Sequence, residues 1–262
     1  MRGSPQDRNF DGLADKFARK VYGGLKGEIR LAVIWRDLVS MIPAIEGGRP
    51  LRILDVGGGL GQFTVRLAAL GHRVVYNDVS AQMHQKARDL AQQHGLDGHI
   101  KWCHSPYQDL VDLGKFDLVL CHAVIEWLAD PSSLIAQLKT FLAQDGYLSL
   151  TFYNQSGLVY RNLIRGNFRL LETDFKPDAG SLTPAHPMLP STVTKWLEAS
   201  ELELCWSSGI RVFHDYVTTV RGGHEDPQSV IDMELKHSLI EPYKWLGRYL
   251  HFISCPNQGV SD

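Results

Sequence analysis

The stretch LRILDVGGGLGQ, residues 51–62, decides the fold. Its first six residues form a short run rich in branched apolar side chains, the composition of a strand covered on both faces. Glycines then break the run, and residues 61–70 resume the apolar spacing of a helix. Strand, glycine turn and helix in that order open an α/β sheet whose ligand crevice lies at the carboxyl ends of its strands. Working forward, residues 73–77, 100–104, 116–121 and 146–153 read as further strands, with helices at 81–94 and 132–142 between them. Five strands alternating with helices imply a parallel, doubly wound sheet. Two later apolar runs, 202–213 and 246–255, flank a helix near 227–239 and would complete seven strands.

Working backward, residues 10–21 and 28–45 carry apolar side chains at three and four spacing, including Leu31, Ile34, Trp35 and Leu38. Two amphipathic helices therefore precede the first strand. The expected organisation is an N-terminal helical cap, residues 1–50, followed by an α/β domain, residues 51–262. Within that domain the rhythm changes over 154–190: residues 158–168 look helical, 174–190 is rich in proline and polar residues, and Ser191 is placed to cap a helix ending near Ser200. This segment is expected to be an insertion facing the crevice.

With 262 residues, 44% hydrophobic and 21% charged, the chain can bury one substantial core. Cys103, Cys121, Cys205 and Cys255 show no CxxC spacing and suit a reducing compartment better than a disulfide framework or a metal site. No apolar run approaches the ~18 residues that span a bilayer, and no secretory signal opens the chain, so a cytoplasmic protein away from membranes is expected. Nothing marks an obligate protein partner. A formal net charge of -2 excludes holding nucleic acid by overall charge, so any such partner must meet a local basic patch. Residues 1–30 carry seven basic residues against four acidic ones.

The glycine turn is where backbone amides and missing side chains let a nucleotide approach closely, which makes Gly57, Gly58, Gly59 and Gly61 binding candidates. Asp78 ends the second strand, 21 positions after Gly57, where a carboxylate can accept both hydroxyls of a ribose. Asp55 precedes the glycines and can either orient the loop or meet an ammonium group. A dinucleotide site would need GxGxxG, yet counting from Gly57 reaches Gln62 and counting from Gly59 reaches Thr64. The acidic residue followed by GGGxG resembles instead the first motif of class I methyltransferases, whose cofactor is S-adenosylmethionine. Tyr107 and Gln108 follow the third strand, where an adenine would be stacked and its edge hydrogen bonded. His122 ends the fourth strand at the crevice, within reach of the cofactor's methionine end.

The resemblance sharpens along nearly the whole chain. QDRNFDG, KGEIR, LDVGGGLGQ, GHRVVYNDVSAQM, HAVIEWLADP, LSLTFYN, GNF, GIRVFHDY and LGRYLHF together resemble the bacterial tRNA 5-carboxymethoxyuridine methyltransferases. Residues 168–185 depart from that pattern, as does Tyr107, where a smaller residue is usual. The resemblance implies a Rossmann-like seven-stranded class I methyltransferase sheet and methylation of the carboxylate of 5-carboxymethoxyuridine at the wobble position of tRNA. S-adenosylhomocysteine would be the second product. By matching positions it implies Arg30 at the cofactor carboxylate, Gly57 and Gly58 at its methionine end, and Asp78 at its ribose. Tyr107, Gln108 and His122 fall on the remaining cofactor contacts.

A carboxylate with a pKa of roughly 3 to 4 is already ionised at neutral pH, so this transfer needs positioning and no catalytic base. Arg211 is shaped to hold a planar carboxylate by two parallel hydrogen bonds, although it also reads as a surface ion pair. On a regular strand His214 and Tyr216 would share the face opposite Arg211, which ranks His214 second as a substrate contact. Tyr153, Trp127 and Tyr160 could stack on an extruded uridine in the tRNA anticodon region. Arg161, Arg165 and Arg169, four apart, would line one helical face suited to phosphates. The alternatives are methylation of a small metabolite on the same sheet, and a module that binds the cofactor without chemistry.

Overall fold

A computed structural model describes residues 11, 12, 14–17, 19, 22–172, 184 and 186–257. Most of the QDRNFDG motif, parts of the helix expected at 10–21, Arg2, Arg8 and Lys20 of the basic count, and most of the proline-rich stretch lie outside the described residues.

The strands are β1 (Arg52–Val56), β2 (Arg73–Asp78), β3 (Ile100–His104), β4 (Phe116–His122), β5 (Leu142–Tyr153), β6 (Leu202–Ile210) and β7 (Tyr249–Pro256). They form one sheet in the order β3-β2-β1-β4-β5-β7-β6, with β7 antiparallel to both neighbours and the first five strands parallel. The strand order reverses between β1 and β4, so the crevice expected of a doubly wound sheet opens beside the glycine turn.

Helices α1 (Ala14–Phe17), α2 (Leu25–Met41), α3 (Gln62–Ala69), α4 (Ala81–Gln93), α5 (Pro131–Phe141), α6 (Gln155–Ile164), α7 (Phe168–Leu171), α8 (Pro190–Ala199) and α9 (Pro227–His237) flank the sheet. Ile29, Val33 and Leu38 of α2 share one core with Phe63 and Leu67 of α3, Ala87 of α4, Val230 of α9 and Ile53, Tyr76 and Leu120 of the sheet. Leu134 and Leu138 of α5 and Val193 and Leu197 of α8 bury the opposite face with Leu54, Val119, Leu148 and Phe252. Both faces being covered explains why the strands read as nearly continuous apolar runs. Each fully buried Leu or Ile contributes about 1.5–3 kcal/mol over the exposed state.

The segment after β5 leaves and returns at one point. Asn154 bridges to Met188, the Met188 amide donates to the Tyr153 carbonyl at 2.8 Å, and Gln155 N donates to Met188 O at 3.0 Å. The Asn154 side chain also caps α6 through the Ser156 amide, which is why the chain turns into a helix there. Ser191 does not cap the next helix: α8 starts at Pro190, whose missing amide suits the first turn, and the preceding Leu189 makes no side-chain cap.

β6 stops at Ile210, three residues short of the expected run, because Arg211 turns the chain with φ 60°. Glu234 on α9 holds this turn, accepting the amides of Val212 at 2.7 Å, Phe213 at 3.2 Å and His214 at 2.8 Å. Residues His214–Tyr216 then form a turn of 3-10 helix, so the alternating faces expected for Arg211 and His214 do not exist. Three hydrogen bonds to one buried carboxylate offset a left-handed non-glycine residue, which costs on the order of 1–3 kcal/mol.

Candidate active site

A cavity of about 420 Å³ opens at the carboxyl ends of β1 to β4. Of the ten expected cofactor residues, Arg30, Gly57, Gly59, Asp78, Tyr107, Gln108 and His122 line it, whereas Gly61 caps α3 close against Ala87. Asp55 and Gly58 lie beneath the lining. Asp55 is 3% exposed and accepts a 2.6 Å hydrogen bond from Thr64 on α3, so its carboxylate ties the loop to the helix. Burial pushes its pKa from 3.8 to about 6, against the Thr64 bond and with help from the Asp78 charge. A Cβ on Gly58 would sit 2.7 Å from the Tyr76 ring and 2.9 Å from Asp55 Oδ2, so only glycine allows this close approach.

At Gly57 the backbone takes φ +64°, and a Cβ would meet Val124 at 2.4 Å. The two Asp78 oxygens accept the amides of Gly59 at 2.9 Å and Ser80 at 2.8 Å. Burial raises this carboxyl's pKa while those two amides oppose the rise. Each oxygen keeps a second lone pair, enough for a pair of neighbouring hydroxyls. Residues 11 and 12 are tied to this end, since Asp11 accepts from Ser80 Oγ at 2.6 Å and Gly12 N donates to Gln82 at 2.9 Å.

Arg30, which also lines the cavity, is 3% exposed, its guanidinium 4.1 Å from the Tyr249 ring centroid. Its Nε is buried with no hydrogen-bond partner among the described residues, and Arg30 lines the cavity. Sequence reasoning missed Tyr22, Asn77, Met83 and Ala123 in the lining, for which only their nearness to the motifs was a signal. Trp127, expected at the substrate, lines this same cavity.

Past Arg30 the structure gathers a second cluster that the sequence only partly disclosed. Lys26, Arg211 and Arg248 lie 4.0, 3.3 and 3.7 Å from the Asp215 carboxylate. Burial alone would raise the Asp215 pKa, but Arg211, Arg248 and Lys26 overrule it and hold it below the ordinary value. Arg211 Nε and Arg248 Nη1 are buried with no hydrogen-bond partner among the described residues, and so is Tyr153 Oη. The Arg248 guanidinium sits 4.7 Å from the Tyr153 ring, and Tyr153 meets Tyr249 edge-on at 5.3 Å, which joins this cluster to Arg30. The 3.3 Å bond from Arg248 N to Arg211 O sets the two arginines side by side.

The remaining expected residues sit around this cluster. His214 is half-buried on the turn, and burial lowers its pKa. Tyr160 is exposed and meets Tyr216 edge-on at 5.5 Å. Arg161 Nε and Arg165 Nη2 both donate to the Asp215 carbonyl, at 3.3 and 3.2 Å, so two of the three arginines reach inward and Arg169 stays on the exposed face of α7. The cysteines, distant in sequence, are partly brought together: Cys205 and Cys255 on β6 and β7 have sulfurs 2.8 Å apart. Among the described residues no group of His, Cys, Asp and Glu could hold a metal ion, and no helix is long and apolar enough to cross a membrane.

Residues 54–150 match the family described as "Methyltransferase domain". The chain is 39% identical over 249 residues to the tRNA 5-carboxymethoxyuridine methyltransferase of Escherichia coli (strain K12), covering 94% of this chain and 95% of the relative. It is 27% identical over 198 residues to the trans-aconitate 2-methyltransferase of Azoarcus sp. (strain BH72), covering 71% and 72%. Among solved structures, magnesium protoporphyrin IX methyltransferase from Synechocystis PCC 6803 with bound SAH matches with a TM-score of 0.64 at 17% identity, over 94% of this chain and 96% of that one. That likeness is one of fold. The match to the Escherichia coli protein, carried along nearly the whole of both sequences, makes this chain a member of the tRNA 5-carboxymethoxyuridine methyltransferase family.

Proposed function

We propose that this chain methylates the carboxylate of 5-carboxymethoxyuridine at the wobble position of tRNA, in the cytoplasm, with S-adenosylmethionine as donor and S-adenosylhomocysteine as product. The observation that carries the reading is an excess of cations beside the cofactor cavity, with Arg211 buried, Arg248 partly buried and Lys26 exposed. Lys26, Arg211 and Arg248 share the single carboxylate of Asp215, and two of the guanidiniums keep unpartnered donors. Uncompensated buried charge is costly, so an anionic ligand is the natural partner of such a cluster.

The cavity suits the donor. Asp78 offers two acceptors to a ribose, Tyr107 and Gln108 flank the place of an adenine, and the Arg30 guanidinium in the lining suits a carboxylate. Asp55, with Gly58 above it, supports the loop from below. When bound, the cofactor supplies a methyl group made electrophilic by its sulfonium. The chain's own residues bind, orient and exclude water, because the acceptor is already an anion.

Arg211 grips the acceptor carboxylate, Tyr153 and Trp127 wall the space between it and the cofactor, and His214 borders the entrance. The described part of the insertion after β5 faces the substrate, and Arg161, Arg165 and Arg169 contact phosphates of the anticodon loop. The reading is tested by presenting the enzyme with the same tRNA carrying either 5-carboxymethoxyuridine or unmodified uridine. Transfer to the acid alone is expected; equal transfer to both would end the carboxylate assignment.

A further inference from the structure

Four polar side chains run in single file from the cofactor cavity across three neighbouring strands to α2. His122 Nε2 lies 2.8 Å from Ser149 Oγ, Ser149 Oγ lies 2.8 Å from His251 Nε2, and His251 Nδ1 lies 2.8 Å from Asp37 Oδ2. Ser149, His251 and Asp37 are fully buried, and His122 is the member that lines the cavity. An apolar core would be cheaper to build than such a file, which directs attention to what it does for His122.

The direction of each hydrogen bond follows from one end. Burial would raise the Asp37 carboxyl, but the His251 bond, Arg36 and Ser208 overrule it and hold its pKa below the ordinary value, so it is ionised. An ionised carboxylate only accepts, which makes His251 Nδ1 the donor. Arg36 Nε, 2.7 Å from Asp37 Oδ1, already balances the Asp37 charge. A second cation on fully buried His251 would be uncompensated, so His251 is neutral and its Nε2 is a lone pair. Ser149 then donates to His251, and the Ser149 oxygen accepts from His122. Burial foremost, with the Arg30 charge acting in the same direction, holds the His122 pKa well below its usual value, so that ring is neutral as well.

We infer that Asp37, acting through His251 and Ser149, locks His122 as the Nε2–H tautomer, leaving its Nδ1 lone pair to accept a hydrogen bond from the ammonium group of the cofactor's methionine end. Asp37, His251 and Ser149 are positioning residues. The ligand half of this inference rests on the S-adenosylmethionine reading above, whereas the tautomer is a property of the ligand-free chain. The opposite tautomer would set an N–H against an ammonium and lose both the bond and the orientation.

The test is NMR of ligand-free protein carrying 15N in its histidine rings, with His122→Asn used to assign the His122 signals. His122 is expected to show a protonated Nε2 and an unprotonated Nδ1. Ser149→Ala cuts the file and is expected to give a mixture of tautomers together with roughly tenfold weaker S-adenosylmethionine binding by calorimetry, the loss of about one good hydrogen bond. Asp37→Asn is expected to mix the tautomers too, and Ser149→Ala decides the matter if that variant does not fold. Wild-type His122 protonated on Nδ1, or a single Nε2–H tautomer persisting in folded Ser149→Ala, would overturn the inference. Failure of the wild type to bind S-adenosylmethionine would instead remove the cofactor reading, and the ligand-free tautomer would still be decided by its own spectrum.

Discussion

Arg211 Nη2 lies 3.3 Å from Asp215 Oδ2, across one turn of a segment that its apolar run would have continued as strand. The pair exists because Glu234 takes the amides of Val212, Phe213 and His214 and so holds the chain in a turn instead of a further length of strand. In the ligand-free chain Asp215 therefore stands beside the guanidinium that the acceptor carboxylate is expected to meet.

Arg211→Ala is expected to lower kcat/KM for the acid-bearing tRNA by about 30-fold or more, since truncating one member of a buried charge pair costs about 2–5 kcal/mol. Affinity for S-adenosylmethionine should change little, because Arg211 does not line the cofactor cavity. Steady-state kinetics beside calorimetry separates the two. Full turnover at low substrate would remove Arg211 from the substrate site.

Asp78→Ala should act the other way, weakening S-adenosylmethionine by roughly 10- to 100-fold through loss of hydrogen bonds to a charged acceptor. The variant also frees the amides of Gly59 and Ser80, so thermal unfolding measured alongside is expected to fall modestly. Unchanged affinity would show that the ribose lies elsewhere.

The triple substitution of Arg161, Arg165 and Arg169 by alanine probes the phosphate contacts. If all three meet phosphates of a single-stranded loop, the slope of log affinity against log salt falls by roughly 2. Fluorescence titration of tRNA over a salt series measures it. An unchanged affinity and slope would confine Arg161 and Arg165 to supporting the Asp215 turn.

Glu126 gives a pH signature. Burial pushes its pKa from 4.5 to about 8, with its own amide, Arg30 and the Tyr153 amide opposing the rise. The folded chain thus binds a proton that the unfolded chain releases between those values, and this contribution is complete below pH 4.5 and lost as pH rises through 8. Glu126→Gln, which cannot ionise, should gain stability relative to the wild type progressively from pH 5 to 8, by about a few kcal/mol at most, read as a growing difference in Tm. A difference in Tm that stays flat across that range would contradict the protonated Glu126.

The sequence disclosed what local signals encode. The strands β1 to β4 fall within a residue or two of their expected bounds because branched runs, the glycine turn and caps such as Ser80 and Asp130 mark them locally. Most of the expected nucleotide residues meet because each sits at the end of a parallel strand, and the sheet order brings those ends together.

What the sequence hid depends on distant partners. Nothing near Arg211 announces that Glu234 will end β6 there, and nothing near Asp37 announces His251, 214 positions away. Arg248 lay inside a quoted motif, yet its place beside Arg211 follows only from the antiparallel pairing of β6 with β7, a pairing without local signal. The same pairing brings Cys205 beside Cys255.

The most direct test of the account is methyl transfer from labelled S-adenosylmethionine to tRNA taken from cells lacking this gene, followed by nucleoside analysis. Label appearing in the methyl ester of 5-carboxymethoxyuridine is the expected result. Absence of that ester, with cofactor binding intact and the tRNA shown to carry the acid, would contradict the account and direct the search to a small carboxylate acceptor.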